Sequence, residues 1–255
     1  GTGNLLAGLY EDLAERMLGD IDFIFSKEDY PKAITVLRDN AYSEVRNHKY
    51  HAPAHRHYRR LKKVYNIAAI EVHQELLVDK FLKEFNYSFI EKDSQVINGV
   101  RVLSYANKLN LSIISSQIND NGFYYKRIAL RNAYDVFLLS KRTNSKNAIN
   151  SLDKLTHPLN CFLATCNEVF NELDSLEYQQ TVKTMVYLSV FKSQFTDYKK
   201  TKKRHNRIKS YLFIKSILTL FYKSLLRKDY RVWLFRKVTD KNWHKKKLIQ
   251  LGLRE

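Results

Sequence analysis

The stretch Gly19-Asp20-Ile21-Asp22-Phe23-Ile24-Phe25 decides how this chain reads. In a β-strand, successive side chains point to opposite faces. Asp20 and Asp22 therefore share one face, and Ile21, Phe23 and Phe25 share the other. The apolar face calls for a core behind it. Two carboxylates held side by side on the other face form a ligand set for a hard divalent cation. Because an Asp-x-Asp pair also occurs in ordinary turns, its neighbours have to decide between the two.

Upstream, Gly1-Thr2-Gly3-Asn4 precedes Leu5, Leu6, Leu9, Leu13 and Met17, whose spacing predicts a helix. A small turn opening into a helix leaves backbone N–H groups and the positive end of the helix dipole for an anion such as phosphate. Arg16, just before the acidic pair, is placed to reach that phosphate. Residue 1 is Gly, and a motif begins there at once, so an upstream strand or helix is expected to be missing.

Downstream, Ser26, Asp29 and Pro31 announce a helix to about Tyr42, with Ala33, Ile34 and Leu37 turned inward. His48, His51, His55 and His57 follow within ten residues. No Cys or carboxylate joins them at a zinc spacing, so they read as a loop or strand rim beside an anionic ligand. Ile67–His73 reads as a second strand, with Glu71 and His73 on one face. Set beside Asp20 and Asp22 in a sheet, Glu71 completes a three-carboxylate metal site, and His73 either orients Glu71 or touches substrate.

The chain has 255 residues, 44% of them hydrophobic, with few Gly (7) and Pro (3), which points to a packed and mainly helical protein. A net charge of +18 favours anionic partners: nucleotides, RNA or an acidic membrane surface. Cys161 and Cys166 match neither a disulfide framework nor a metal spacing. With no signal peptide and no apolar run able to span a bilayer, the expected location is cytoplasmic, with the membrane periphery as the alternative.

From Ser104, a plausible N-cap, the pattern is helical almost throughout. One helix is expected over Phe123–Arg142, where Arg131 and Asp135, four apart, can pair on a helix face. Others are expected over about Asn160–Leu173 and Leu176–Phe195. A basic run from Tyr198 to Lys209 leads into an apolar, aromatic stretch, and a second basic-aromatic stretch holds Trp233 and Trp243. Such a tail suits an anionic membrane surface or an RNA backbone.

The Gly-Thr-Gly turn, Arg16, Gly-Asp-Ile-Asp-Phe-Ile-Phe, His51-Ala52-Pro53, Ile70-Glu71-Val72-His73 and Arg101-Val102-Leu103-Ser104 occur in an order that resembles the uncharacterised nucleotidyltransferase family of the polymerase β-like superfamily. The resemblance extends over roughly the first 140 residues and takes in Arg127, Arg131 and Asp135. Thr2 stands where the family has Gly, Ser or Ala, and the family's apolar lead-in before the turn is missing.

The resemblance implies an α+β fold: a polymerase β-like core at 1–103, made of a short mixed sheet with helices, then a mostly α-helical region at 104–255 whose basic tail starts near 198. It implies Mg²⁺-dependent transfer of a nucleoside monophosphate from an NTP such as ATP to a hydroxyl, with release of pyrophosphate. Asp20, Asp22 and Glu71 would be catalytic and hold two Mg²⁺ ions, or Mn²⁺ in their place. Gly1, Thr2, Gly3 and Asn4 would cradle phosphates, with Arg16, Arg127, Arg131 and Lys108 as candidate neutralising cations. The acceptor is a small molecule or saccharide, a protein, or RNA. Two other functions fit the same residues. One is a metal-dependent glycosyltransferase using the Asp-x-Asp pair, and the other a non-catalytic basic RNA- or membrane-binding protein on a degenerate nucleotidyltransferase fold.

Overall fold

The computed structural model describes residues 2–45, 56–77, 81–171, 174–242, 244, 245 and 249. Gly1, the His51-Ala52-Pro53 piece, His48, His55 and Trp243 lie outside them. Helix α1 covers Thr2–Leu6. The helix expected to reach Met17 stops there because Gly8 takes a positive φ of 59°, a backbone state that ends helices. A single 3₁₀ turn at Leu13–Glu15 follows, with the Asp12 side chain accepting from the Ala14 N–H at 2.8 Å. Leu9 is buried, while Leu13 and Met17 are exposed.

The alternating stretch forms strand β1 (Asp20–Ile24). Helix α2 (Tyr30–Asp39) has Pro31 in its first turn and is followed by Ala41 at φ 65°. Strands β2 (Ser43–Glu44), β3 (Leu61–Lys62) and β4 (Ala69–His73) complete a mixed sheet in the order β1-β4-β3-β2. β1 and β4 run parallel, with Asp22 opposite Glu71 and Ile24 opposite His73, and the other pairs are antiparallel. A parallel pair requires a crossover, supplied here by the chain from α2 through β3. Ile70 and Val72 of β4 pack with Ile34 of α2, and Ile21, Phe25 and Leu37 close over them. Burying that face fixes the register, since a one-residue slip would turn Asp20 and Asp22 into the core.

Beyond the sheet, α3 (Tyr87–Glu91) leads to the hairpin β5 (Gln95–Ile97) and β6 (Val100–Val102). Its turn, Asn98-Gly99, has φ of 50° and 76°, the positive values that a tight Asn-Gly hairpin turn requires. Ser104 caps α4 (Tyr105–Ile114) by accepting from the Asn107 N–H. The single helix expected over Phe123–Arg142 is divided into α5 (Gly122–Tyr125) and α6 (Leu130–Ser140). Lys126, at φ 55°, closes α5 by donating its N–H to the Gly122 carbonyl, and Ala129 is extended before α6. Helices α7 (Ser145–Asn150), α8 (Thr156–Val169), α9 (Val182–Thr196), α10 (Tyr198–Leu226) and α11 (Lys228–Val238) follow. The main core lies among α4, α6, α7 and α8 around Leu109, Ile113, Val136, Ile149 and Phe162, with Leu5 of α1 and Ile24 of β1 packed against it. The architecture is α+β, a small mixed sheet followed by helices.

The chain divides into two compact units, one of residues 1–45 and 56–202, the other of 46–55 and 203–255. Within the first unit, helices α4 and α6 to α8 build the core against which Ile24 of β1 and Leu5 of α1 pack.

Gly122 is sterically required. A Cβ there would lie 2.6 Å from the Ser116 carbonyl oxygen, a backbone atom that cannot turn aside. Gly122→Ala is expected to destabilise the protein by about 1–3 kcal/mol, which a thermal melt reads as a drop of several degrees. Gly19→Ala is the control, because its Cβ would meet nothing within 4 Å. Equal melting of the two variants would remove the steric account.

Candidate active site on the exposed sheet face

Strand parity and the parallel register place Asp20, Asp22, Glu71 and His73 on one sheet face, opposite the face that packs on α2. Asp22, Glu71 and His73 each offer a ligand atom, and these atoms lie within 4.8 Å of one another. The His73 Nε2 stands 3.1 Å from Asp22 Oδ1 and 3.7 Å from Glu71 Oε2. Asp20 is engaged differently. Arg60, just before β3, donates from Nη2 to Asp20 Oδ2 at 2.9 Å and to Glu71 Oε1 at 2.7 Å, and from Nε to the same Glu71 oxygen at 2.9 Å. The side chain best grouped with Asp22 and Glu71 as a metal ligand is therefore His73, while Asp20 shares a guanidinium with Glu71.

Two histidines flank this face. The His57 ring lies tilted beside that of His73 with centroids 5.0 Å apart, and its Nε2 lies 3.8 Å from Glu71 Oε2. Its Nδ1 meets the Tyr58 carbonyl at 2.7 Å, and as a carbonyl only accepts, Nδ1 carries the proton. Of the four-histidine run, His57 alone is described, and it does border the acidic cluster.

The charges follow from this geometry. Loss of hydration, helped by the neighbouring Asp22 and Glu71, raises the Asp20 carboxyl above its ordinary range despite Arg60. Desolvation also pushes on Asp22, but the hydrogen bond and positive charge of His73 outweigh it and hold Asp22 below the usual value. Arg60 is raised, first by its hydrogen bond to Glu71 and then by the charges of Glu71, Asp20 and Asp22. Three carboxylates against one guanidinium leave an excess of negative charge on a strand-held surface, which fits a divalent cation.

The other residues singled out in the sequence are placed as follows. Arg16 pairs bidentately with Asp135, Nε to Oδ1 and Nη2 to Oδ2 at 3.0 Å each, and Tyr10 donates its hydroxyl to the same carboxylate. Asp135 is 1% exposed, so the partner expected for it on its own helix face, Arg131, is replaced by Arg16 from 119 positions upstream. Arg131 is exposed beside that pair, and its charge acts on Arg16. Arg127 is exposed and donates to the Asp120 carbonyl at 2.9 Å. Thr2, Gly3 and Asn4 form the first turn of α1, and Gly3 faces Lys108 and Val102.

Sequence reasoning missed Arg60 and Arg56. Arg56 donates to the Leu76 carbonyl at 3.0 Å and lies close enough to feel the charges of Glu71 and Asp22. Their only signal was membership of a basic run. Because Leu61 pairs with Ile70 in the antiparallel β3–β4 ladder, Arg60 stands across from Glu71, which no local pattern reveals.

Helix α10, whose residues from 203 onward belong to the second unit, contains no Asp or Glu. Ile214, Leu218, Phe221 and Leu225, spaced four, three and four apart, are exposed along one stripe, and Lys199, Lys203 and Arg207 precede them on the same side. No helix is long and apolar enough to cross a membrane among the described residues.

The site thus consists of acidic positions on the parallel strands β1 and β4 of a small mixed sheet, followed by a helical core. The chain belongs to the uncharacterised nucleotidyltransferase family, whose model matches residues 2–170. Nothing matches it among curated proteins or among solved structures.

Proposed function

We propose that the protein is a divalent-cation-dependent nucleotidyltransferase that moves a nucleoside monophosphate from an NTP to a hydroxyl acceptor. The observation that carries this is the strand-held cluster of Asp20, Asp22, Glu71 and His73, in a chain of nucleotidyltransferase family. Asp22 and Glu71 would hold the ion, with Asp20 joining them when Arg60 lets go. His73, whose Nε2 lies 3.1 Å from Asp22 Oδ1 and 3.7 Å from Glu71 Oε2, would join them as a further ligand. A bound Mg²⁺ or Mn²⁺ would supply positive charge to the phosphoryl oxygens and lower the pKa of the acceptor hydroxyl.

The chain's own groups supply positioning. The first-turn amides of Thr2, Gly3 and Asn4 are without helical partners and can donate to phosphate oxygens, with Gly1 adjoining them. Arg60 would neutralise charge beside the carboxylates, and Arg131 and Arg127 are further cations for the nucleotide. Arg16, held by Asp135, would act by shaping this side of the site. In the transfer, the acceptor oxygen bonds to the α-phosphorus, the α–β phosphoanhydride bond breaks, and pyrophosphate leaves. The test is incubation with each α-³²P-labelled NTP, Mg²⁺ or Mn²⁺ and cell extract. Label carried to RNA, protein or a small molecule, with pyrophosphate released, names the acceptor class. Release of a nucleoside diphosphate from a nucleotide sugar would favour the glycosyltransferase alternative.

The second unit adds an anionic partner. Three of the four stripe residues, Ile214, Leu218 and Leu225, are aliphatic and cannot stack on bases, but together with Phe221 they can enter the lipid headgroup region, with Lys and Arg on the phosphates. The protein is expected to float with vesicles containing phosphatidylglycerol and not with phosphatidylcholine alone, and Leu218→Glu/Leu225→Glu should abolish flotation. Binding of poly(U) that survives the double substitution would assign the helix to RNA.

A further inference from the structure

Glu71 turns its two carboxylate oxygens to different neighbours. Oε2 lies 3.7 Å from His73 Nε2, which in turn stands 3.1 Å from Asp22 Oδ1. On that side Asp22, Glu71 and His73 gather their ligand atoms. Oε1 instead takes two hydrogen bonds from Arg60, from Nη2 at 2.7 Å and from Nε at 2.9 Å. The same Nη2 donates to Asp20 Oδ2 at 2.9 Å. One side of the acidic face therefore presents a ligand set, and the other is bridged by the chain's own cation. Topology sets the bridge. Glu71 is on β4, between β1 and β3, and the pairing of Leu61 with Ile70 brings Arg60 across from it.

A guanidinium and a divalent ion compete for the same carboxylate oxygens. While Arg60 bonds to Asp20 Oδ2 and Glu71 Oε1, those two atoms are not open to an ion. The bridge is nevertheless replaceable. The Arg60 side chain is 44% exposed and that of Asp20 31%, and ion pairs open to water contribute little stability. Arg16 differs, since it is 10% exposed on a carboxylate that is 2% exposed, which suits a fixed structural pair. Arg60 also has somewhere else to go, because a phosphate accepts a guanidinium bidentately as well as a carboxylate does. Its departure leaves Asp20 and Glu71 repelling each other, a repulsion already felt at Asp20, and a second cation would relieve it.

We propose that Arg60 is the resident occupant of a second cation position formed by Asp20 and Glu71, so that the nucleotide-free protein takes up one divalent ion, at Asp22, Glu71 and His73, and a second enters only when Arg60 leaves. This rests on the nucleotidyl-transfer function proposed above for what draws Arg60 away, namely the phosphates of the nucleotide. The chain would thus keep its own site incomplete until substrate arrives. The test counts Mn²⁺ ions on the full chain without nucleotide, from the electron paramagnetic resonance signal of the free ion. The wild type is expected to bind one ion, with any second at least about tenfold weaker. Arg60→Met keeps an apolar stem and removes the guanidinium, and it should bind the second ion at least about tenfold more tightly than wild type does. Arg60→Met/Asp20→Asn should return to one ion. With Arg60 left in place, Asp22→Asn should weaken the first ion by a larger factor than Asp20→Asn, a comparison that does not depend on how Arg60→Met folds.

Two ions of equal affinity on the wild type, an unchanged second ion in Arg60→Met, or two ions on the double variant would overturn the proposal. So would a loss of the first ion in Asp20→Asn as large as that in Asp22→Asn. A protein that gains the second ion with Arg60→Met yet transfers no nucleotide would keep the shared cation position and remove the reaction. One that transfers nucleotide with an ion count indifferent to Arg60 would keep the reaction and remove the shared position.

Discussion

Asp22→Asn is expected to lower nucleotidyl transfer by roughly 10³-fold or more without lowering the melting temperature of the metal-free protein. The loss of rate follows from position. Asp22 contributes to the one cluster of His, Cys, Asp and Glu ligand atoms found among the described residues, and an amide oxygen cannot supply the missing negative charge. The unchanged stability follows from electrostatics. Asp22 and Glu71 both push the Asp20 carboxyl upward, so the three carboxylates repel one another until a cation joins them. Asn keeps an oxygen for His73 Nε2, which stands 3.1 Å from Asp22 Oδ1, and relieves that repulsion, which offsets the loss of the favourable charge interaction by which His73 holds Asp22 low. Glu71→Gln should behave alike, although it also weakens the Arg60 contact at 2.7 Å. Initial-rate measurements with labelled NTP and melts in EDTA check both halves. Loss of rate together with a large loss of stability would mean that the cluster is a structural ion network.

The largest expected effect on stability belongs to Asp135→Ala. The carboxylate is buried, takes two hydrogen bonds from Arg16 and one from Tyr10, and joins α6 to the segment before β1. Burial works against both partners, raising Asp135 to about 6 and lowering Arg16, so the intact pair contributes little net stability. Removing one member is different, because it strands the other charge. Asp135→Ala is expected to destabilise by about 3–5 kcal/mol, a fall in melting temperature of about 10 °C for a unit of this size. The double variant Arg16→Met/Asp135→Leu, which removes both charges and fills the space, should recover much of that loss. Denaturant melts of the wild type, Arg16→Met, Asp135→Leu and the double variant give the coupling energy directly, and additive losses would show that the two residues do not act as a pair.

Much of the sheet was legible because strand parity is a local property. Gly19–Phe25 and Ile67–His73 carry their apolar and acidic faces in their own sequence, so the acidic and histidine positions that share a face could be read without knowing how the strands pair. The helix starts at Ser104 and Pro31 were equally local, whereas the α+β class came from the family resemblance. The helix breaks at Gly8 and Lys126 were not, although each depends on a single residue. Lys126 is a residue type that seldom takes a positive φ, and distant groups meet it there: Gln194 Nε2 donates to its carbonyl at 2.6 Å, and its ammonium lies over the Tyr187 ring.

The sequence by itself determined the acidic pair, the later Glu71, the nucleotidyltransferase resemblance and the basic helical tail, since each depends on residue type and short spacing. Tertiary structure alone decided which charges meet. It gave Arg16 to Asp135 across 119 positions, set Arg60 between Asp20 and Glu71 across 40 and 11, and turned His73 to Asp22 across 51. Ion pairs form between groups that folding brings within a few ångströms, and the chain separation of those groups carries no signal in a local pattern. The burial of Lys108 belongs to the same class. The family resemblance marked it as one of four candidate cations, and its burial beside Gly3 leaves its Nζ without a hydrogen-bond partner among the described residues.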